Sequence, residues 1–198
     1  MSSLNYPYDK KRFEAFIDAI VAIILTILVL ELRIPETDHA HELSTQKQVA
    51  SLLHAFVSYI GSFLLIVGIW IDHHTLFLYL QKLTKSYMLL NMLFILSLSI
   101  VPFTTAFAGS HSDDSFAVAL LFVNYVIMNL IFGSLYWYAD WKKLLDHEFL
   151  LANRNTGIYS LVGITGLIVA IPVAYFNTYI SFCIGIIIFS GHLLKKTL

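Results

Sequence analysis
The sequence predicts an all-α membrane protein whose subunit crosses the bilayer six times. Three observations carry that reading. Hydrophobic residues make up 58% of the 198-residue chain and charged residues only 13%, against about 25% charged in soluble domains. Mean hydropathy is +0.76. The basic residues gather in alternate gaps between the apolar runs, as they do where loops alternate sides of a membrane.

A spanning helix needs about 20 mostly apolar residues. Six stretches qualify: 13–34, 49–71, 86–108, 115–139, 158–176 and 178–194. Together they make one six-helix domain covering residues 1–198, with no separate soluble domain, low-complexity tract or internal repeat. The first run carries Glu14 and Asp18 and leads into Glu31-Leu32-Arg33-Ile34-Pro35 rather than a small-residue cleavage site, so it reads as a retained helix. Pro35 is a stop signal. Pro102 and Pro172 lie within later runs, where a proline can break a helix. The last two runs are joined by a very short turn near Asn177 and should be antiparallel neighbours. Residues 140–155 are mixed in charge and fit either an extension of the fourth run or a short amphipathic helix on the membrane surface.

Orientation follows from the basic residues. Lys10, Lys11, Arg12, Lys82, Lys85, Lys142, Lys143, Arg154, Lys195 and Lys196 fall on one side, ten of the twelve. Arg33 and Lys47 fall on the other, with Glu36, Asp38, Glu42, Asp113 and Asp114. Both termini are therefore expected in the cytoplasm. The net charge of −1 and the short basic clusters give no footprint for nucleic acid, and the lone Cys183 cannot form an intrachain disulfide.

Asp18 is the first run's informative residue. A carboxylate in hydrocarbon is costly and should face protein or water. With six spans, Arg12, Asp18, Trp70, His73, His74 and Asn91 share one cytoplasmic-side layer, which offers Asp18 an imidazole, an indole N–H or an amide. The same placement fits plain interhelical packing. On a helix turning about 100° per residue, Ile23, Ile27 and Leu30 lie within roughly 60° of arc, Thr26 flanks them, and Asp18 points about 140° away from Ile23. Such a stripe ordinarily faces lipid or core.

Other classes find less support. A proton-coupled transporter using Asp18 and the His73/His74 pair is the alternative, but no ionisable residue sits near mid-bilayer in the last four runs. A proton leak through the same pathway stays open. His54, His111 and His192 form no facing pair suited to haem. No His-Glu-x-x-His motif or mid-span nucleophile suggests an enzyme. No metal site or cofactor is expected.

These motifs resemble the endolysosomal potassium channels called transmembrane protein 175, in their bacterial single-repeat form. The family's first helix carries Arg-x-x-x-Phe-Ser-Asp, an apolar run with a Thr, and a terminal Leu-Glu. Here that reads Arg12, Phe16, Ile17, Asp18, Ala22-Ile23, Thr26 and Leu30-Glu31. Ile17 replaces the family's Ser. Trp70, His73 and His74 look like the family's second-helix end, and residues 90–106 like its third helix.

The resemblance implies a homotetramer in the bacterial plasma membrane, with the first helix of each copy lining a central pore. It implies a potassium-preferring channel without a Thr-Val-Gly-Tyr-Gly filter, which this sequence lacks. Ile23, Ile27 and Leu30 would form the constriction, with Thr26 supporting selectivity. Arg12, Phe16, Asp18, Trp70, His73, His74 and Asn91 would hold the helix in place. Glu31, near the outer end, is expected to concentrate cations at the pore mouth. Permeant potassium ions are expected in the pore, with monovalent cations as the permeant partners and no cofactor.

Overall fold
The computed structural model describes residues 8–32, 52–146 and 156–195, and every named element among them is an α-helix. Pro35, the acidic loop residues Glu36, Asp38 and Glu42, the basic Arg33, Lys47 and Arg154, and any surface helix beyond residue 146 lie outside the described residues.

Helix α1 spans Lys10–Leu30. It opens at Asp9, whose carboxylate accepts from the backbone N–H groups of Lys11 and Arg12. This satisfies donors that have no partner inside the helix. Its buried residues, Phe13, Ile17, Val21, Ile24 and Leu28, recur every three or four positions, so they form one packed stripe.

Helix α2 spans Leu53–Tyr79 and continues well past residue 71, where the sequence reading ended the second span. The polar group at residues 72–75 looks like a helix end but is absorbed into the helix. Asp72 and His73 are buried, and Thr75 Oγ1 donates back to the Ile71 carbonyl at 2.7 Å. Leu76 and Phe77, both 0% exposed, then extend the packed face.

The expected third span divides in two, α3 (Lys85–Ser99) and α4 (Val101–Ser110). Thr84 caps α3 by accepting from the Tyr87 N–H. Pro102 lies in the first turn of α4. It lacks the N–H that would continue α3, so the helix restarts where its absence costs nothing. The two still make one apolar stretch, Lys85–Ser110, long enough to cross a bilayer.

Helix α5 spans Ser115–Trp141, with Asp114 accepting from the Phe116 N–H at its start. Lys143, at φ 53°, ends it. The Leu144 N–H reaches the Ala139 carbonyl at 2.8 Å, and the Lys143 N–H reaches Asp140 at 2.9 Å. This is the left-handed cap that usually recruits glycine. The chain beyond folds back rather than extending the helix. Gln81 N–H donates to Leu144 at 2.8 Å and Asp146 N–H to Tyr79 at 3.1 Å, tying the exits of α5 and α2 together.

Helices α6 (Thr156–Ala174) and α7 (Thr178–Lys195) are joined by the expected short turn and pack on each other. Asn177 Oδ1 accepts from the Ile180 N–H there. Pro172 sits inside α6 without dividing it.

Among the described residues, α1, residues Ala55–Tyr79 of α2, the α3–α4 stretch and α5 are long and apolar enough to span a bilayer. Val162–Ala174 and Thr178–Ile188 are shorter apolar segments. Helix α5 packs against α3, α4, α6 and α7, while α1 lies against α2, α3 and α4. Only 28% of α1's apolar window is buried, against 56% for α5. Of these four spans, the one richest in sequence motifs is thus the most open to whatever surrounds the subunit.

Candidate functional site: the two faces of the first helix
The packed stripe of α1 turns inward on α2, α3 and α4. On the opposite side, Ile23 is 55% exposed, Ile27 40% and Leu30 65%. Phe16 and Arg12 share that open face. Thr26 is exposed beside Ile23, and its hydroxyl donates to the Ile23 carbonyl at 2.8 Å. The hydroxyl is thereby satisfied within the helix, and the threonine adds no unpaired donor to an otherwise apolar surface. Glu31, half-buried, ends the helix.

Asp18 leaves the stripe and meets α2. Its Oδ1 accepts from Trp70 Nε1 at 2.9 Å. One turn earlier, Glu14 Oε1 lies 3.3 Å from His74 Nδ1. On α2, the Trp70 and His74 rings stack with centroids 5.9 Å apart. Two i, i+4 pairs, one per helix, therefore face each other across the contact.

His73 points the other way, into the protein. Its Nε2 meets Asn91 Oδ1 at 2.9 Å, and Asn91 Nδ2 donates to the Tyr87 carbonyl at 2.8 Å. Because Nδ2 is spoken for, Asn91 must present its oxygen, so His73 carries its proton on Nε2 and donates. The ring stacks between Phe77 and Phe94, at centroid distances of 4.6 and 5.5 Å. This fastens α2 to α3 in a buried, mostly aromatic setting.

The structure thus brings Asp18 together with Trp70, and His73 with Asn91, as two adjoining pairs rather than one continuous chain. Arg12 joins neither. It is exposed, and its guanidinium meets no hydrogen-bonding or ion-pairing partner among the described residues.

Three features were not anticipated from sequence. Glu14 pairs with His74, a contact signalled by its i, i+4 spacing from Asp18. Lys10 Nζ donates to the Leu80 carbonyl at 2.6 Å, placing a cation on the C-terminal end of α2. A neutral polar knot also ties α2, α4 and α5 together. There Ser62 Oγ lies 2.6 Å from Thr105 Oγ1 and 2.5 Å from Tyr125 OH, all buried. Asn124 Nδ2 donates to Thr104 Oγ1 nearby, at 3.3 Å. Isolated hydroxyls in apolar helices carry no sequence pattern that names their partners.

Comparison with known proteins bears on the same region. The family model described as endosomal/lysosomal potassium channel TMEM175 matches residues 12–102, which include α2, α3 and all of α1 but its first two residues. A potassium channel of Streptomyces collinus is 30% identical over 138 residues, covering 66% of this chain and 64% of that protein. The human endosomal/lysosomal proton channel TMEM175 is 32% identical over 156 residues, covering 73% of this chain. The chain spans only 30% of that human protein's length. The crystal structure of a lysosomal potassium-selective channel TMEM175 homolog from Chamaesiphon minutus superposes with a TM-score of 0.83 at 21% identity, covering 96% of this chain and 98% of that one. The relatives are named as ion channels, not enzymes. The helices, their order and the motif-bearing first half agree on one assignment: the chain belongs to the TMEM175 family.

Proposed function
We propose that the chain is one subunit of a homotetrameric, potassium-preferring cation channel in a bacterial plasma membrane. Each subunit crosses six times with both termini in the cytoplasm, and α1 of each copy lines the central pore. Ile23, Ile27 and Leu30 form the constriction, Thr26 supports selectivity and Glu31 sits at the outer mouth. Asp18, Trp70 and His74 fix α1 to its own bundle, His73 and Asn91 fasten α2 to α3 behind it, and Arg12 and Phe16 lie on the pore-facing side of the same motif. No resident cofactor takes part; potassium is the permeant ion.

One observation carries this reading. The apolar stripe of α1 is exposed, while the opposite face is packed and Asp18 is tied to Trp70. A helix anchored this way cannot rotate its stripe into the subunit, so copies meeting around an axis present it to one another. A ring of branched aliphatic side chains excludes ions when narrow enough to dewet, and passes partly hydrated cations when wider. Selectivity then rests on dehydration cost, with no carbonyl cage.

The decisive measurement is the reversal potential under a potassium/sodium gradient in a reconstituted bilayer. Ile23→Asn should raise conductance and weaken discrimination between the two ions. Currents indistinguishable from the parent protein's would remove Ile23 from the gate.

A second reading, proton passage, is favoured by the name of the animal relatives and by Glu14, Asp18 and His74 lying beside one another. Current that persists with potassium gradients and no pH gradient supports the potassium channel. Current that appears only with a pH gradient supports proton passage.

A further inference from the structure
Among the described residues, Glu14, Asp18 and His74 each offer one ligand atom, and these atoms lie within 4.8 Å of one another. We propose that they bind a first-row divalent metal ion of the Zn²⁺ type, which bridges α1 to α2. The two carboxylates come from successive turns of α1 and the imidazole from α2, so no single helix builds the site.

The donor set and its spacing point to that class of ion. In a tetrahedral zinc site with bonds of about 2.1 Å, neighbouring ligand atoms are about 3.4 Å apart. The Glu14 Oε1 to His74 Nδ1 separation is already 3.3 Å. His74 Nδ1 is shielded from solvent and makes no hydrogen bond, so Glu14 is close but not aligned to accept one. A nitrogen and two carboxylates, with one position left for water, suit Zn²⁺. They do not suit Ca²⁺, which gathers six to eight oxygens, roughly.

The surroundings fit as well. Trp70 Nε1–H holds Asp18 through Oδ1, leaving the remaining carboxylate lone pairs for a metal. This is the kind of outer hydrogen bond that orients metal-ligating carboxylates. The Trp70 ring backs the His74 imidazole. The side chains of Glu14 and His74 remain 19% and 43% exposed, so the site has a route for the ion. Two carboxylates beside one imidazole leave net negative charge that a divalent cation neutralises.

The test is calorimetric titration of the purified full chain in detergent with Zn²⁺. The wild-type chain should bind one more zinc per chain than His74→Ala, whatever other histidines bind in both. Trp70→Phe keeps the ring but loses the N–H, and should weaken that site about tenfold without removing it. Identical titrations of the wild type and His74→Ala would overturn the site.

Should His74→Ala fail to fold, a chain carrying Trp137→Phe and Trp141→Phe keeps every ligand and leaves Trp70 as the sole indole. Saturable quenching of its emission by Co²⁺, relieved by Zn²⁺, is the expected result; emission insensitive to Co²⁺ overturns the site. Neither readout needs ion conduction, so the outcome is separate from that of the channel reading.

Discussion
The two faces of α1 are nearly matched in chemistry and opposite in role. One carries Phe13, Ile17, Val21, Ile24 and Leu28, all buried; the other carries Phe16, Ile23, Ile27 and Leu30, all exposed. Hydrophobicity cannot separate them, because in a bilayer lipid tails are as apolar as leucine and supply no drive to sort one face from the other. Packing and a polar anchor separate them instead. Asp18 and Glu14 sit at the edge of the packed face and meet Trp70 and His74, which fixes the rotation of the helix.

The largest expected effect tests whether the faces differ as described. Leu28 is 0% exposed and Leu30 is 65% exposed, two residues apart. Leu28→Ala should cost about 2 kcal/mol of subunit stability, the low end for a buried leucine, because the lost transfer to hydrocarbon largely vanishes in lipid and the cavity remains. Leu30→Ala should change it by less than about 0.5 kcal/mol. Thermal unfolding of both variants in one detergent checks this, and equal shifts would erase the distinction between the faces.

The next effect concerns the anchor. Asp18→Asn keeps an oxygen for Trp70 Nε1 but removes the charge from the hydrogen bond. The expected loss is about 1 kcal/mol, the difference between a charge-assisted bond and a neutral one. It should appear as less detergent-stable protein with unchanged reversal potential. A stable variant with altered ion preference would move Asp18 from the anchor into the conduction path.

The same contrast explains how far the sequence could be read. The apolar runs announced the helices, and the spacing of Ile23, Ile27 and Leu30 put them on one face, because helical periodicity is carried by the residues themselves. The ionisable Asp18 drew attention because charge in hydrocarbon demands a partner. Helix ends were less legible. Asp72, His73 and His74 read as a terminus, yet tertiary contacts buried the first two and carried the helix on to Tyr79. Pro102 did mark the division between α3 and α4, while Pro172 left α6 whole. The Ser62–Thr105–Tyr125 knot was illegible, since its partners lie far apart in the chain and none is charged.

The smallest expected effect belongs to the end of the open face. Glu31 closes α1 just beyond Leu30; on the proposed channel reading its carboxylate would act on passing cations only through the field it sets up at the mouth. That field reaches about 30 Å at 0.01 M salt and about 3 Å at 1 M. Glu31→Gln should therefore lower potassium conductance by less than about twofold at the lower concentration and leave it unchanged at the higher one. Leu30→Ala, which leaves the charge in place, should show no such salt dependence. A Glu31→Gln deficit of equal size at both concentrations would mean the side chain acts by contact within the pore, and the open face would then extend beyond the aliphatic stripe.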